Sequence, residues 1–110
     1  DYYADGIDDV RKMFSRWQRV FFHQGDVRNT VKQKVPEKIA FFHLDLNSAE
    51  TELEILKYLF PRVSVGGIIL LDDYANRGEE EAYAMHNHFF ESKGYQVLTT
   101  PAGQGIVIKK

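Results

Sequence analysis

The chain has 110 residues and a formal net charge of −2, and 44% of its residues are hydrophobic. This is enough apolar material for a single packed domain over 1–110, and it argues against a disordered chain. The sequence shows neither a net positive charge nor a polybasic run, so we expect neither nucleic acid nor a membrane as a partner. The absence of cysteine excludes disulfides, thiol nucleophiles and zinc–thiolate sites, and it fits a cytoplasmic protein.

The first third of the chain predicts one helix, one strand and a polar loop. A helix is predicted over 5–17 because apolar residues recur there at spacings of three and four. The apolar run within 19–23 predicts a strand, which Gly25-Asp26 would end. Residues 27–38 are polar and contain Pro36, which favours a loop or a short irregular helix.

A nearly unbroken apolar run at 39–46, closed by Asp45, and a continuous run at 68–71 predict strands that are buried on both faces. Helical stripes follow each run, over 48–60 and over 79–93. Asn47 or Ser48 would cap the first of these helices, and Gly94 would follow the end of the second.

Two further strands are predicted at 95–99 and 106–109, and the short loop between them indicates antiparallel pairing. The whole order predicts an α/β fold. We expect a partial doubly wound, Rossmann-like sheet that is mostly parallel and ends in an antiparallel hairpin.

Acidic residues stand at the ends of the two apolar strands. Asp45 closes the first strand, and Asp72 and Asp73 follow the second. Ligands bind outside the carboxyl ends of strands in open α/β sheets, and oxygen ligands suit Mg²⁺, Mn²⁺ or Ca²⁺. If the strands are neighbours, the three acids meet at one edge. The alternative is that Asp45 caps a helix and Asp72-Asp73 begins a loop, and spacing alone favours neither.

Four stretches together resemble the macrocin O-methyltransferase family. They are Phe41-Phe42-His43-Leu44-Asp45, Leu59-Phe60-Pro61-Arg62-Val63, Gly66-Gly67-Ile68-Ile69-Leu70-Leu71-Asp72-Asp73-Tyr74 and Pro101-Ala102-Gly103-Gln104-Gly105-Ile106-Val107-Ile108-Lys109. Family members are class I methyltransferases that use S-adenosylmethionine and methylate hydroxyls of small molecules, often sugars. The resemblance implies that Asp45, Asp72 and Asp73 hold a Mg²⁺ that orients the acceptor.

One position departs from the family pattern. Family members carry a second acid two residues after the first, proposed as the general base, and here that residue is Asn47. An amide cannot accept a proton at neutral pH. His43 or His86 would then be the base, or metal activation suffices, or the acceptor differs, or this is an inactive relative.

The donor site expected of the family is incomplete in this sequence. The Gly-rich loop after a first strand, and the acid after a second, do not appear. By resemblance, Asp26 would contact the adenine of S-adenosylmethionine, with an ordinary turn as the alternative. We therefore expect the carboxyl-terminal part of a methyltransferase that lacks its donor-binding strands. The parent would be an enzyme, and the chain alone would be inactive, bind the donor weakly and form a homodimer through unpaired sheet edges.

Two other classes of function compete with a methyltransferase. One is a non-catalytic α/β binding module in which the acids are structural. The other is a different metal-dependent transferase, such as a glycosyl- or phosphotransferase, because acids at strand ends serve those reactions too.

Overall fold

A computed structural model of the chain describes residues 6–110. The chain divides into two compact units, one that ends at Lys34 and one that spans Val35–Lys110. The second unit contains the sheet and the two long helices. A single domain over 1–110 stays a prediction.

The first unit contains two short helices, α1 (Ile7–Met13) and α2 (Val27–Thr30). Helix α1 is shorter than the predicted 5–17, of which position 5 lies outside the described residues. It ends because Phe14 leaves the helical angles at φ −101° and ψ 8°. No residue of α1 is buried, so no packing extends it further.

The strand predicted over 19–23 is wrong. Residues 20–24 adopt no regular structure, and Arg19 has a positive φ of 62°. Strand preference mostly reflects packing against neighbouring strands, and within residues 6–110 no strand pairs with this segment.

The second unit alternates strands and helices in the predicted order. Its elements are β1 (Ile39–Leu44), α3 (Ala49–Leu59), a 3₁₀ turn (Phe60–Arg62), β2 (Val63–Leu71), α4 (Glu80–Glu91), β3 (Leu98–Thr99) and β4 (Gly105–Ile108). The strands form one sheet in the order β1-β2-β4-β3. β1 and β2 are parallel, whereas β4 is antiparallel to both β2 and β3. The α/β class and the antiparallel terminal hairpin are therefore confirmed. Within the described residues the sheet is mixed rather than mostly parallel, because β1 and β2 form one parallel pair and the other two pairs are antiparallel.

Strand β2 begins five residues before the predicted start, at Val63 rather than at 68. Gly66 and Gly67 lie inside it, opposite a register irregularity between Ile39 and Phe41. Gly66 has a φ of 82°, and a Cβ on Gly67 would lie 2.7 Å from the carbonyl oxygen of Ser64. The two glycines therefore allow a bend within the strand where we had predicted a turn before it.

Strands β1 and β2 are buried on one face only, which corrects the prediction of burial on both faces. Ile69 and Leu71 are buried, whereas Phe41 is 58% exposed and Ile68 is also exposed. Helices α3 and α4 contact each other, so both cover the same face of the sheet. The other face has no helix of this unit over it.

The core of the second unit lies between the helices and the covered face. Phe60 is central, because its ring meets those of Phe89, Phe90 and Tyr95 edge-on at centroid distances of 5.5–5.9 Å. After α4, Gly94 turns the chain at φ 83°, and the Tyr95 N–H donates to the Phe90 carbonyl. This confirms Gly94 as the residue that follows the helix end.

Of the two predicted caps of α3, the structure selects Ser48, whose hydroxyl accepts a hydrogen bond from the Thr51 N–H at 3.3 Å. We expect Ser48→Ala to lower the free energy of unfolding by about 1 kcal/mol, because an N-terminal amide of the helix loses its acceptor. Asn47→Ala, the matched control, should change it much less. Urea denaturation measures both, and equal losses would contradict the assignment of the cap.

Candidate metal and acceptor site

The acids after β1 and β2 lie side by side at the same edge of the sheet. Leu44 pairs with Leu71 in the parallel ladder, so Asp45 and Asp72 follow at matching positions. The Asp72 N–H also donates to the Leu44 carbonyl at 3.0 Å. The prediction that the two strands are neighbours is confirmed. Their hydrogen bonds fix the backbones of both strands at this edge.

Three side chains converge there: His43, Asp45 and Asp72. Each offers one ligand atom, and these atoms lie within 4.8 Å of one another. His43 Nε2 is 3.1 Å from Asp72 Oδ1, and Gln104 Nε2 donates to the same oxygen at 3.0 Å. Asp72 is thus held from two sides, by β1 and by the loop before β4. We call His43, Asp45 and Asp72 the strand-end cluster.

The two carboxyl groups of the cluster have opposite pKa shifts. Loss of solvation, followed by the negative charges of Asp72 and Asp73, raises the pKa of Asp45. Hydrogen bonds from Gln104 and His43 lower the pKa of Asp72. Asp45 thus lies, partly desolvated, near the negative charge of Asp72 and Asp73, which His43 offsets in part. A divalent cation would neutralise this charge, and the carboxylate oxygens of Asp45 and Asp72 fit a hard ion such as Mg²⁺.

Asp73 was predicted to be a metal ligand beside Asp45 and Asp72, but in the structure its side chain forms a different contact. Its Oδ1 accepts a hydrogen bond from Asn76 Nδ2 at 2.8 Å, and it is not among the three convergent groups. It is still close enough for its charge to raise the pKa of Asp45. A role for Asp73 as a metal ligand stays a prediction.

Of the base candidates, the structure places His43 at the cluster and His86 in the core. His86 is 2% exposed, and its Nε2 is 2.8 Å from Glu52 Oε2. A histidine buried in this way has no access to an acceptor in solution. Asn47 is exposed in the loop after β1.

Asp26, the candidate adenine contact, lies in the first unit as the N-cap of α2. Its carboxylate accepts hydrogen bonds from the Arg28 N–H at 2.9 Å and from the Arg28 guanidinium at 2.7 and 3.1 Å. These bonds lower the pKa of Asp26 to about 2. The geometry is that of a capped turn, and adenine contact stays a prediction.

Two residues of the site have no role in the sequence-based predictions. Gln104 belongs to a motif that carried the resemblance, but only the fold shows that it reaches Asp72. Glu52 lies three residues before Ile55 and seven before Leu59 on the buried stripe of α3. An acid on an apolar stripe is the signal that would have found it.

The family model described as macrocin O-methyltransferase (TylF) matches residues 4–97. The chain belongs to the macrocin O-methyltransferase family. Family membership confirms the resemblance to this family of O-methyltransferases.

The chain is also similar in sequence to one known O-methyltransferase and in fold to solved methyltransferase structures. The chain is 32% identical over 73 residues to the 8-demethyl-8-(2,3-dimethoxy-alpha-L-rhamnosyl)-tetracenomycin-C 4'-O-methyltransferase of Streptomyces olivaceus, covering 63% of this chain and 28% of that protein. The fold resembles the O-methyltransferase NovP, with a TM-score of 0.79, 22% identity and coverage of 94% of this chain and 44% of NovP.

A second structural neighbour is the methyltransferase PaMTH1 of Podospora anserina, solved with SAH bound. The TM-score is 0.74 at 19% identity, covering 94% of this chain and 54% of PaMTH1. The chain thus spans about half or less of the length of these proteins. Within residues 6–110, no helix has the length and apolar character needed to cross a membrane.

Proposed function

We propose that the protein carrying this chain transfers a methyl group from S-adenosylmethionine to a hydroxyl of a small molecule such as a sugar, assisted by Mg²⁺. The observation that supports a metal ion is the convergence of Asp45 and Asp72 at the ends of parallel neighbouring strands. The Streptomyces olivaceus relative, named as a 4'-O-methyltransferase of a rhamnosyl-tetracenomycin, supports a sugar acceptor.

Each residue of the strand-end cluster would have a separate role in the reaction. Asp45 and Asp72, with Asp73 beside them, would hold the cation, which when bound lowers the pKa of a coordinated hydroxyl. Gln104 fixes the orientation of the Asp72 carboxylate through its hydrogen bond at 3.0 Å. His43, rather than Asn47, would accept the proton of the acceptor hydroxyl, because only the imidazole of these two can take one.

The proposal also covers the methyl donor and the location of the protein. The SAH bound to PaMTH1 supports S-adenosylmethionine as the donor, and Asp26 would contact its adenine. A cytoplasmic location rests on the cysteine-free sequence alone.

Methyl transfer by the protein that carries this chain tests the proposal. We expect transfer to sugar hydroxyls to stop with EDTA and to resume with Mg²⁺. His43→Asn should lower kcat about 100-fold, the typical contribution of a general base, whereas the exposed His88→Asn should not. Full activity in EDTA would refute metal assistance, and normal turnover by His43→Asn would refute its role as base.

The second candidate is a non-catalytic binding module of the same fold, which Asn47 favours because it replaces the expected acid with a neutral amide. The assay above separates the two functions. The module predicts no transfer under any metal condition, even if the cluster binds a cation. If no transfer is seen, Asn47→Asp supplies the missing acid. We expect this variant to transfer a methyl group only if the donor site is intact.

We also propose that the second unit forms a homodimer through its sheet. β1 is an edge strand within the described residues, and the face bearing Phe41 and Ile68 is exposed. Size-exclusion chromatography with light scattering should give twice the mass of the chain, and Phe41→Lys should shift it to the monomer. If the unmodified chain is a monomer at high concentration, this proposal is wrong.

A further inference from the structure

The core of the second unit contains an acid and a histidine that the proposed reaction does not use. Glu52 and His86 are 4% and 2% exposed, and they join α3 to α4 through the 2.8 Å contact between Oε2 and Nε2. His86 Nδ1 has no hydrogen-bond partner in the described structure. The tautomer with its proton on Nε2 therefore donates to Glu52 and leaves Nδ1 as a bare acceptor, which avoids burying an unpaired N–H.

The second oxygen of Glu52 reaches out of the core towards the strand-end cluster. Oε1 accepts a hydrogen bond from the Leu46 N–H at 3.1 Å. Leu46 lies between Asp45 and Asn47, in the loop that joins β1 to α3. Both oxygens of one buried carboxylate are thus engaged, one by α4 and one by the backbone of the loop.

We propose that Glu52 is a positioning residue, held by His86, that fixes the loop of Asp45, Leu46 and Asn47 at the strand-end cluster. The proposal rests on the proposed function, because it assigns Glu52 a role in presenting Asp45 to a cation. Glu52 itself does not touch the cation or the acceptor.

The need for such a residue follows from the difference between the two acids of the cluster. Asp72 is held by hydrogen bonds from His43 and Gln104. Within residues 6–110 we find no hydrogen bond to the Asp45 carboxylate, so its position depends on its backbone. Beyond the last residue of β1, the Leu46 bond to Glu52 is what restrains that backbone. Outer groups that orient metal ligands in this way commonly decide metal affinity.

Stability alone does not account for a buried pair of this kind. Replacing both members of a buried ionic or hydrogen-bonded pair with apolar side chains of similar shape is often neutral or stabilising. The double variant Glu52→Leu/His86→Leu therefore removes the acceptor of the Leu46 N–H while keeping a packed core. Glu52→Gln is the matched control, because its amide oxygen can still accept the Leu46 hydrogen bond while its NH₂ group donates to Nε2 of His86. This moves the His86 proton to Nδ1, where it is buried without a partner, so the control loses some stability but keeps the Leu46 bond.

Two measurements on the 110-residue chain test the proposal: Mn²⁺ affinity from water-proton relaxation, and exchange of the Leu46 amide hydrogen by ¹⁵N NMR. In the double variant we expect an unchanged melting temperature, about tenfold weaker Mn²⁺ binding and faster Leu46 exchange. Glu52→Gln should keep both the affinity and the protection. A double variant that binds Mn²⁺ like the unmodified chain would overturn the proposal.

The amide measurement separates this proposal from the proposed function. If the unmodified chain binds no Mn²⁺, metal assistance fails, while the protection of Leu46 and its loss in the double variant still support positioning. If the double variant does not fold, the exchange rate of the Leu46 amide in the unmodified chain tests the proposal. Exchange as fast as in an unstructured peptide would overturn it.

Discussion

Replacing Asp72 with asparagine is expected to weaken Mg²⁺ binding by at least about tenfold, because the affinity of oxygen-ligand sites follows the number of charged ligands. Asp72 is central to the strand-end cluster. Its Oδ1 is 3.1 Å from His43 Nε2, and its charge raises the pKa of Asp45. The substitution removes a negative ligand and turns part of the carboxylate into a hydrogen-bond donor facing Gln104 or His43.

Isothermal titration calorimetry with Mg²⁺ measures this effect. The control is Asp9→Asn, which makes the same chemical change at an exposed position in α1. If both variants lose affinity equally, binding reflects overall charge rather than a site. If neither loses affinity, Asp72 is a structural residue, and the metal part of the proposed function fails.

The largest expected effect on stability is that of Phe90→Ala. Phe90 is 0% exposed, and its ring lies 5.9 Å from that of Phe60 and 5.0 Å from that of Phe89. Removing it leaves a cavity between α3, α4 and the sheet. We expect the free energy of unfolding to fall by about 3–5 kcal/mol, a large part of the stability of a small domain.

Phe21→Ala is the matched control, because Phe21 is 78% exposed and loses the same atoms. Urea denaturation followed by circular dichroism should show a change of less than about 1 kcal/mol for that variant. A small loss for Phe90→Ala would mean that the helices do not form the packed core described above.

The parts of the fold that the sequence predicted are those set by local pattern. The helices around Leu56 and Phe89 were predicted because their apolar residues recur at helical spacing. The meeting of Asp45 and Asp72 was predicted because each follows an apolar run, and parallel neighbours bring their ends together. The turn at Gly94 was also predicted, because a glycine directly after a helix is a local signal of the helix end.

The parts that it did not predict depend on partners distant in sequence. The run at 19–23 has strand-like residues, but no strand in the described structure pairs with it. The hydrogen bond from Gln104 joins it to Asp72 across 32 positions, and the contact between Glu52 and His86 spans 34. No local spacing encodes such contacts. The exposed face of β1 was missed because a continuous apolar run does not reveal which side the helices cover.

The most direct test of the proposed site is to add Mn²⁺ to the ¹⁵N-labelled chain and map the paramagnetic broadening of the amide signals. The proposal predicts that the signals of His43, Asp45 and Asp72 broaden first, followed by those of Asp73 and Gln104. Excess Mg²⁺ should reverse the broadening, which shows that the two ions share the site. Broadening that starts elsewhere, such as at the acidic run 79–81, or that is uniform along the chain would contradict a metal site at the strand ends.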